Sequence, residues 1–109
     1  MKAPVKLLLL FVNETDMWHG RPLYQAVIER LNQLEIAGAT ATPGLMGFGH
    51  HHRMHHKGLF GVSDDRPITI MVADEEAKLR AVVPEVHHML REGLMLLIDA
   101  ELVADVATT

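Results

Sequence analysis

Apolar residues along the chain recur with two different periods, and the switches between them mark out the elements. "VKLLLLFV", residues 5–12, is a short apolar run ended by Asn13, the pattern of a central strand. Pro22, just after Gly20 and Arg21, is placed as the first residue of a helix, where its missing N–H costs nothing. Tyr24, Val27, Ile28 and Leu31 then fall at i, i+3, i+4 and i+7 and give that helix one buried face, with Gly38 as its stop. "ATATPGLMGFG", residues 39–49, reads as a second strand, bent or bulged near Pro43–Gly44 because proline cannot donate to a ladder. A long connection over residues 48–66 follows. "PITIMVA", residues 67–73, alternates, is rich in β-branched side chains, and makes a third strand. Asp74 is placed as an N-cap with Glu75 and Glu76 in the first turn, where the helix dipole favours them. Leu79, Val82, Val83, Val86 and Leu90 form the second helical stripe, which Pro84 should kink or split. Gly93 is a C-cap candidate, and "LMLLIDAELV", residues 94–103, is a fourth strand.

The order βαββαβ predicts an α+β, ferredoxin-like domain over 1–109: a four-stranded antiparallel sheet, two helices on one face, and a long loop between strands two and three. Such a sheet leaves its second face bare. Val5, Leu7, Leu9 and Phe11 oppose Leu8, Leu10 and Val12, and Leu94, Leu96, Ile98 and Leu102 oppose Met95, Leu97 and Val103 with only Asp99 and Glu101 interrupting, so both faces are apolar. A large bare apolar face marks an interface, and a closed ring of subunits is the economical way to bury it.

Composition narrows the functions. With 10 basic against 14 acidic residues the net charge is −4, so there is no basic stripe for nucleic acid. The absence of cysteine removes disulfides, thiolate metal sites and cysteine nucleophiles, and fits a cytoplasmic protein. The opening apolar run is interrupted by Lys6 and followed by polar "NETD", which suits a buried strand better than a signal peptide. Catalytic inventory is thin: the single serine, Ser63, lacks a nucleophile-elbow context and no Walker-type loop exists, so no enzyme activity is expected.

Several motifs in order resemble a known family. "LNQLEIAGATATPGLMGFG" looks like the second-strand signature of PII signalling proteins, where Gly-Phe-Gly precedes the long effector loop, and "RPITIMVADEE" resembles the passage after that loop. More closely, Glu14, "GRPLY" 20–24, "GAT" 38–40 and "GFG" 47–49 match a small PII-like family known as a domain of unknown function. The resemblance covers nearly the whole chain. It implies a homotrimer with small-molecule effectors in its inter-subunit clefts and a loop, here 48–66, that docks on a client enzyme or membrane transporter. It further implies an adenine-nucleotide site, for which Gly38, Thr40, Gly47, Phe48, Gly49 and Arg53 are the candidates. Only "MLREGLM" stands where PII has its glycine- and lysine-rich phosphate loop, so ADP or AMP is the expected effector. His50 and His51 stand where PII has a basic residue and then the glutamine that helps hold its metal and 2-oxoglutarate, so the resemblance does not extend to 2-oxoglutarate sensing.

"GFGHHHRMHHKG" adds a separate chemistry: five of the eight histidines, His50, His51, His52, His55 and His56, lie within seven positions. Neutral imidazole ligates zinc, nickel and copper. A helix would put His51/His55 and His52/His56 each on one face, whereas an extended chain would pair His50 with His52. The alternative function is therefore a divalent-metal-binding trimer, like the similarly folded CutA proteins. Against both stands a plain solvated loop, in which Arg53 and Lys57 discourage a cation and favour a phosphate or an acidic surface. Glu14 and Asp16 read as a solvated polar turn, Trp18 as cover for a sheet edge or subunit contact, and His87 and His88 as surface residues.

Overall fold

Residues 1–56, 58 and 65–106 are described by a computed structural model. β1 (Val5–Asn13) is followed by a two-residue ribbon, β2 (Met17–Trp18) and β3 (Arg21–Pro22), and then by α1 (Leu23–Gln33). β4 (Gly38–Pro43) leads to a second ribbon, β5 (Met46–Gly47) with β6 (His55–His56). β7 (Pro67–Glu75), α2 (Glu76–Met89) and β8 (Leu94–Ala100) complete the chain. The four long strands form one antiparallel sheet in the order β4-β7-β1-β8, the ferredoxin-like arrangement that the βαββαβ pattern implies.

The two faces of β1 divide as the alternation demands. Leu8, Leu10 and Val12 are buried with Ile68, Ile70 and Val72 of β7 beneath Leu23, Val27 and Leu31 of α1 and Leu79 and Val86 of α2. On the opposite face Leu9 stands beside Met71 on one side and Leu96 on the other. There Phe11, Met71, Leu94, Leu96 and Ile98 remain 38% to 48% exposed. An Arg30–Glu85 ion pair ties the two helices together on the outside.

Several boundaries differ from the sequence expectation, each for a local reason. Pro22 closes β3 and is the N-cap residue, so α1 starts at Leu23, whose N–H donates to the Asp16 carbonyl at 2.8 Å. His19 and Gly20, both with positive φ, turn β2 into β3 as a tight hairpin. α1 ends well before Gly38: Glu35 takes φ 60, and the Ile36 and Glu35 N–H groups return to the Leu31 and Asn32 carbonyls, a Schellman closure without glycine. The expected bend at Pro43–Gly44 is the end of β4, after which the chain leaves the sheet.

Asp74 is not an N-cap. It is the last buried position of β7, 2% exposed, and it accepts hydrogen bonds from the Ala37 and Glu75 N–H groups at 2.9 and 2.6 Å and from Lys78. Glu75 caps α2 without a side-chain bond. Pro84 neither splits nor ends α2, because it and Arg80, whose carbonyl it deprives of a donor, both lie on the solvent side where water can replace the bond. Gly93 is not a cap either, since α2 closes at Leu90. Its φ of +141 turns the chain into β8, with a Cβ position only 2.8 Å from the Phe11 carbonyl oxygen. β8 stops at Ala100, short of Val103.

Candidate functional site

At the Phe11–Asn13 end of β1, the β5–β6 ribbon rises off the sheet and leaves an open cleft of about 920 Å³ beneath it. One wall is Gly44 and Met46–Gly49, another the segment His50–Arg53 with His55. The floor and far side are Phe11–Asn13, Pro67–Thr69 and Glu92–Leu94. Pro67 explains the small residues on the first wall, because a Cβ on Gly44 would lie 3.0 Å from its ring and one on Gly47 would lie 3.4 Å away. The Gly44 N–H donates to the Pro67 carbonyl at 2.7 Å, pinning the point where the chain departs.

Of the residues proposed for an effector, Gly47, Phe48, Gly49 and Arg53 line this cleft. Phe48 is 62% exposed and stacks on His52 with ring centroids 5.3 Å apart, offering a flat apolar surface. Gly49 has open space where a side chain would be, so a ligand can approach its backbone. Gly38 and Thr40 are elsewhere: they pair with Ala73 and Met71 on β4, the edge strand of the sheet, and neither lines the cleft. Within this chain they belong to the sheet, and the chain beyond them reaches the cleft only from Gly44, just after β4 ends.

The five histidines do not converge. Residues 50 and 51 form a turn closed by the His52 N–H to the Gly49 carbonyl at 2.9 Å, and only His55 and His56 are in a strand, so neither regular geometry runs through the stretch. His51 meets Glu92 at 2.6 Å across the cleft mouth, and His55 Nδ1 meets Asp65 at 2.7 Å. His56 sits in β6 opposite Met46, away from the cleft lining. Among the described residues no group of three or more His, Asp or Glu is arranged to hold a metal ion. Lys57 and Ser63 lie outside the described residues.

Residues unremarked or discounted in the sequence hold the base of the ribbon. Asp65 accepts from the Thr15 hydroxyl at 2.8 Å and from His55, with Arg53 3.9 Å away. Burial pushes the Asp65 carboxyl up, but the Thr15 and His55 hydrogen bonds and the Arg53 charge outweigh it and hold it below the usual aspartate value. Glu14 is no solvated turn residue: the Arg66 guanidinium grips both its oxygens and holds its carboxyl below the ordinary range. Asp16 accepts from the Asn13 N–H at 2.9 Å. Nothing in the sequence announces the Thr15–Asp65 and Glu14–Arg66 contacts, which span about half the chain. Trp18 stacks on His19 and meets the edge of His88, on the helix side of the sheet.

Comparison with known proteins agrees with this architecture. A UPF0166 protein of Aquifex aeolicus is 29% identical over 98 residues, 90% of this chain and 92% of its own. A UPF0166 protein of Methanocaldococcus jannaschii is 26% identical over 95 residues, covering 86% and 87%. Among solved structures, CPII, a nitrogen regulatory PII-like protein from Thiomonas intermedia K12 bound to ADP, AMP and bicarbonate, superposes with a TM-score of 0.58 at 21% identity, over 88% of this chain and 85% of that one. The fold is thus PII-like, as the GAT and GFG motifs imply. No helix among the described residues is long and apolar enough to cross a membrane. The model of the DUF190 family, described as uncharacterized ACR, matches residues 5–102, and the chain belongs to that family.

Proposed function

We propose that this protein is a PII-like regulator that senses an adenine nucleotide and passes the signal to a client through its 48–66 loop. The observation that carries the reading is the cleft under the β5–β6 ribbon, with the Gly47–Phe48–Gly49 backbone and Arg53 on its walls, in a fold shared with a protein whose structure holds ADP and AMP. Phe48 supplies a surface on which a base can stack, and Arg53 a charge for a phosphate. The turn over residues 90–93 carries one arginine, Arg91, and no lysine, so ADP or AMP should bind at least as well as ATP.

The bare sheet face supports the rest of the proposal. Leu9, Phe11, Met71, Leu94, Leu96 and Ile98 form a continuous apolar surface that three copies would bury around an axis, with each cleft completed by its neighbour. The protein then acts by binding rather than by catalysis, in the cytoplasm, on an enzyme or membrane transporter. Calorimetry with AMP, ADP and ATP tests the nucleotide: binding of the first two at least as tight as the third supports it. The absence of heat and of any thermal shift with all three removes it.

A further inference from the structure

Resting on the adenine-nucleotide reading, we propose that His55 is the specificity residue of the cleft, accepting a hydrogen bond through Nε2 from the amino group of the base. Asp65 sets the tautomer of the ring. Its carboxylate is held ionised by donors on several sides, so it can only accept. His55 Nδ1, 2.7 Å away, must therefore be the N–H end of the ring. In a neutral imidazole with Nδ1 protonated, Nε2 carries the lone pair.

Nε2 has no partner among the described residues. No buried side-chain nitrogen or oxygen among them lacks a partner, so this unpaired atom is open to solvent, and the ring lines the cleft. Its strand neighbour opposite is Gly47, which puts no side chain over the ring and places Phe48 one residue further on. An oriented acceptor therefore stands next to an exposed aromatic surface. A flat base with an amino group on its edge satisfies both, whereas a base with a carbonyl at the same place sets oxygen against a lone pair. Thr15 and Asp65 are positioning residues: the hydroxyl holds the carboxylate, and the carboxylate dictates the tautomer.

ADP and IDP differ in this group, an amine in one and a carbonyl in the other. Calorimetry of the full chain at pH 8, above the ordinary imidazole range, should give ADP an advantage of about tenfold over IDP. His55→Ala should bring that ratio near one while the protein still binds ADP. Asp65→Asn, whose amide can face Nδ1 with either its donor or its acceptor, should also lower the ratio because the tautomer is no longer dictated. Ring ¹⁵N shifts of the histidine-labelled protein should show the proton on Nδ1 of His55 in the wild type and a mixture of tautomers in Asp65→Asn. An unchanged ADP/IDP ratio in His55→Ala, or a wild-type ring protonated at Nε2, overturns the assignment and leaves the nucleotide reading standing. Failure of the wild type to bind ADP at all overturns both.

Discussion

Glu14 and Arg66 clamp together the two ends of chain that carry the cleft. Arg66 donates from Nε to Glu14 Oε1 at 3.1 Å and from Nη2 to Oε2 at 2.8 Å, while the Glu14 N–H donates back to the Arg66 carbonyl at 2.8 Å. The turn after β1 and the chain entering β7 at Arg66 are thus joined at the base of the cleft. Both side chains are only partly exposed, 22% and 28%, so the paired charges are screened less than a surface pair.

Glu14→Gln keeps the shape but weakens the charge-assisted bonds, and should cost about 1–2 kcal/mol in chemical unfolding. Acid should remove the same contribution. Because the folded carboxyl lies below its ordinary value, the stabilisation is present above roughly pH 4.3 and is lost as pH falls through the lower folded value. Unfolding curves between pH 7 and pH 3 should therefore lose part of their acid sensitivity in Glu14→Gln.

Asp74→Ala should be more damaging. It leaves the Ala37 and Glu75 N–H groups without their acceptor at a position 2% exposed, a loss of about 2–4 kcal/mol. Here burial raises the carboxyl and the two N–H groups with Lys78 lower it further, so this stabilisation too is present at neutral pH and fades only in acid. Differential calorimetry should show a fall in Tm at pH 7, whereas Lys78→Met should have a much smaller effect.

Glu35→Gly should stabilise. Glu35 sits at φ 60 as the left-handed residue that closes α1, and its side chain makes no hydrogen bond among the described residues. Glycine takes that conformation without a Cβ penalty, worth up to ~1 kcal/mol after its larger unfolded-state entropy is subtracted. A lower denaturant midpoint for the variant would contradict this account.

Gly93→Ala should do the reverse. At φ +141 an L side chain is strained, and its Cβ would lie 2.8 Å from the Phe11 carbonyl oxygen, a backbone atom with little freedom to retreat. A loss of about 2–3 kcal/mol is expected in equilibrium unfolding.

Leu9→Lys tests the assembly. Leu9 stands between Met71 and Leu96 at the centre of the bare face, so a charge there should block burial while leaving the helix-side core untouched. Light scattering should give roughly 37 kDa, three times the 12.2 kDa chain, for the wild type and a monomer mass for the variant. A monomeric wild type at micromolar concentration would remove the trimer from the proposal.

Hydropathy determined three of the strands, the two helices and the bare second face, because burial on one or both sides of an element is written in its apolar run or period, while the second strand is legible in its threonines, small residues and glycines. It also marked the departure of the chain at Pro43–Gly44, since a proline that cannot donate is a local fact. The GAT and GFG motifs led to the PII-like fold by resemblance to a family rather than by period. What only the tertiary structure decided depends on partners distant in sequence. Asp74 has the look of a cap until β7 is extended by two residues and the chain at Ala37 arrives with an N–H to bond. Gly38 and Thr40 share a motif with the cleft glycines but lie in the edge strand, which ends before the chain reaches the cleft at Gly44. The histidines look alike in the sequence; in the fold His51 faces Glu92, His52 stacks on Phe48 and His55 is aimed by Asp65. Imidazole takes its chemistry from whatever meets its second nitrogen, and that neighbour is chosen by the packing of residues up to about forty positions away.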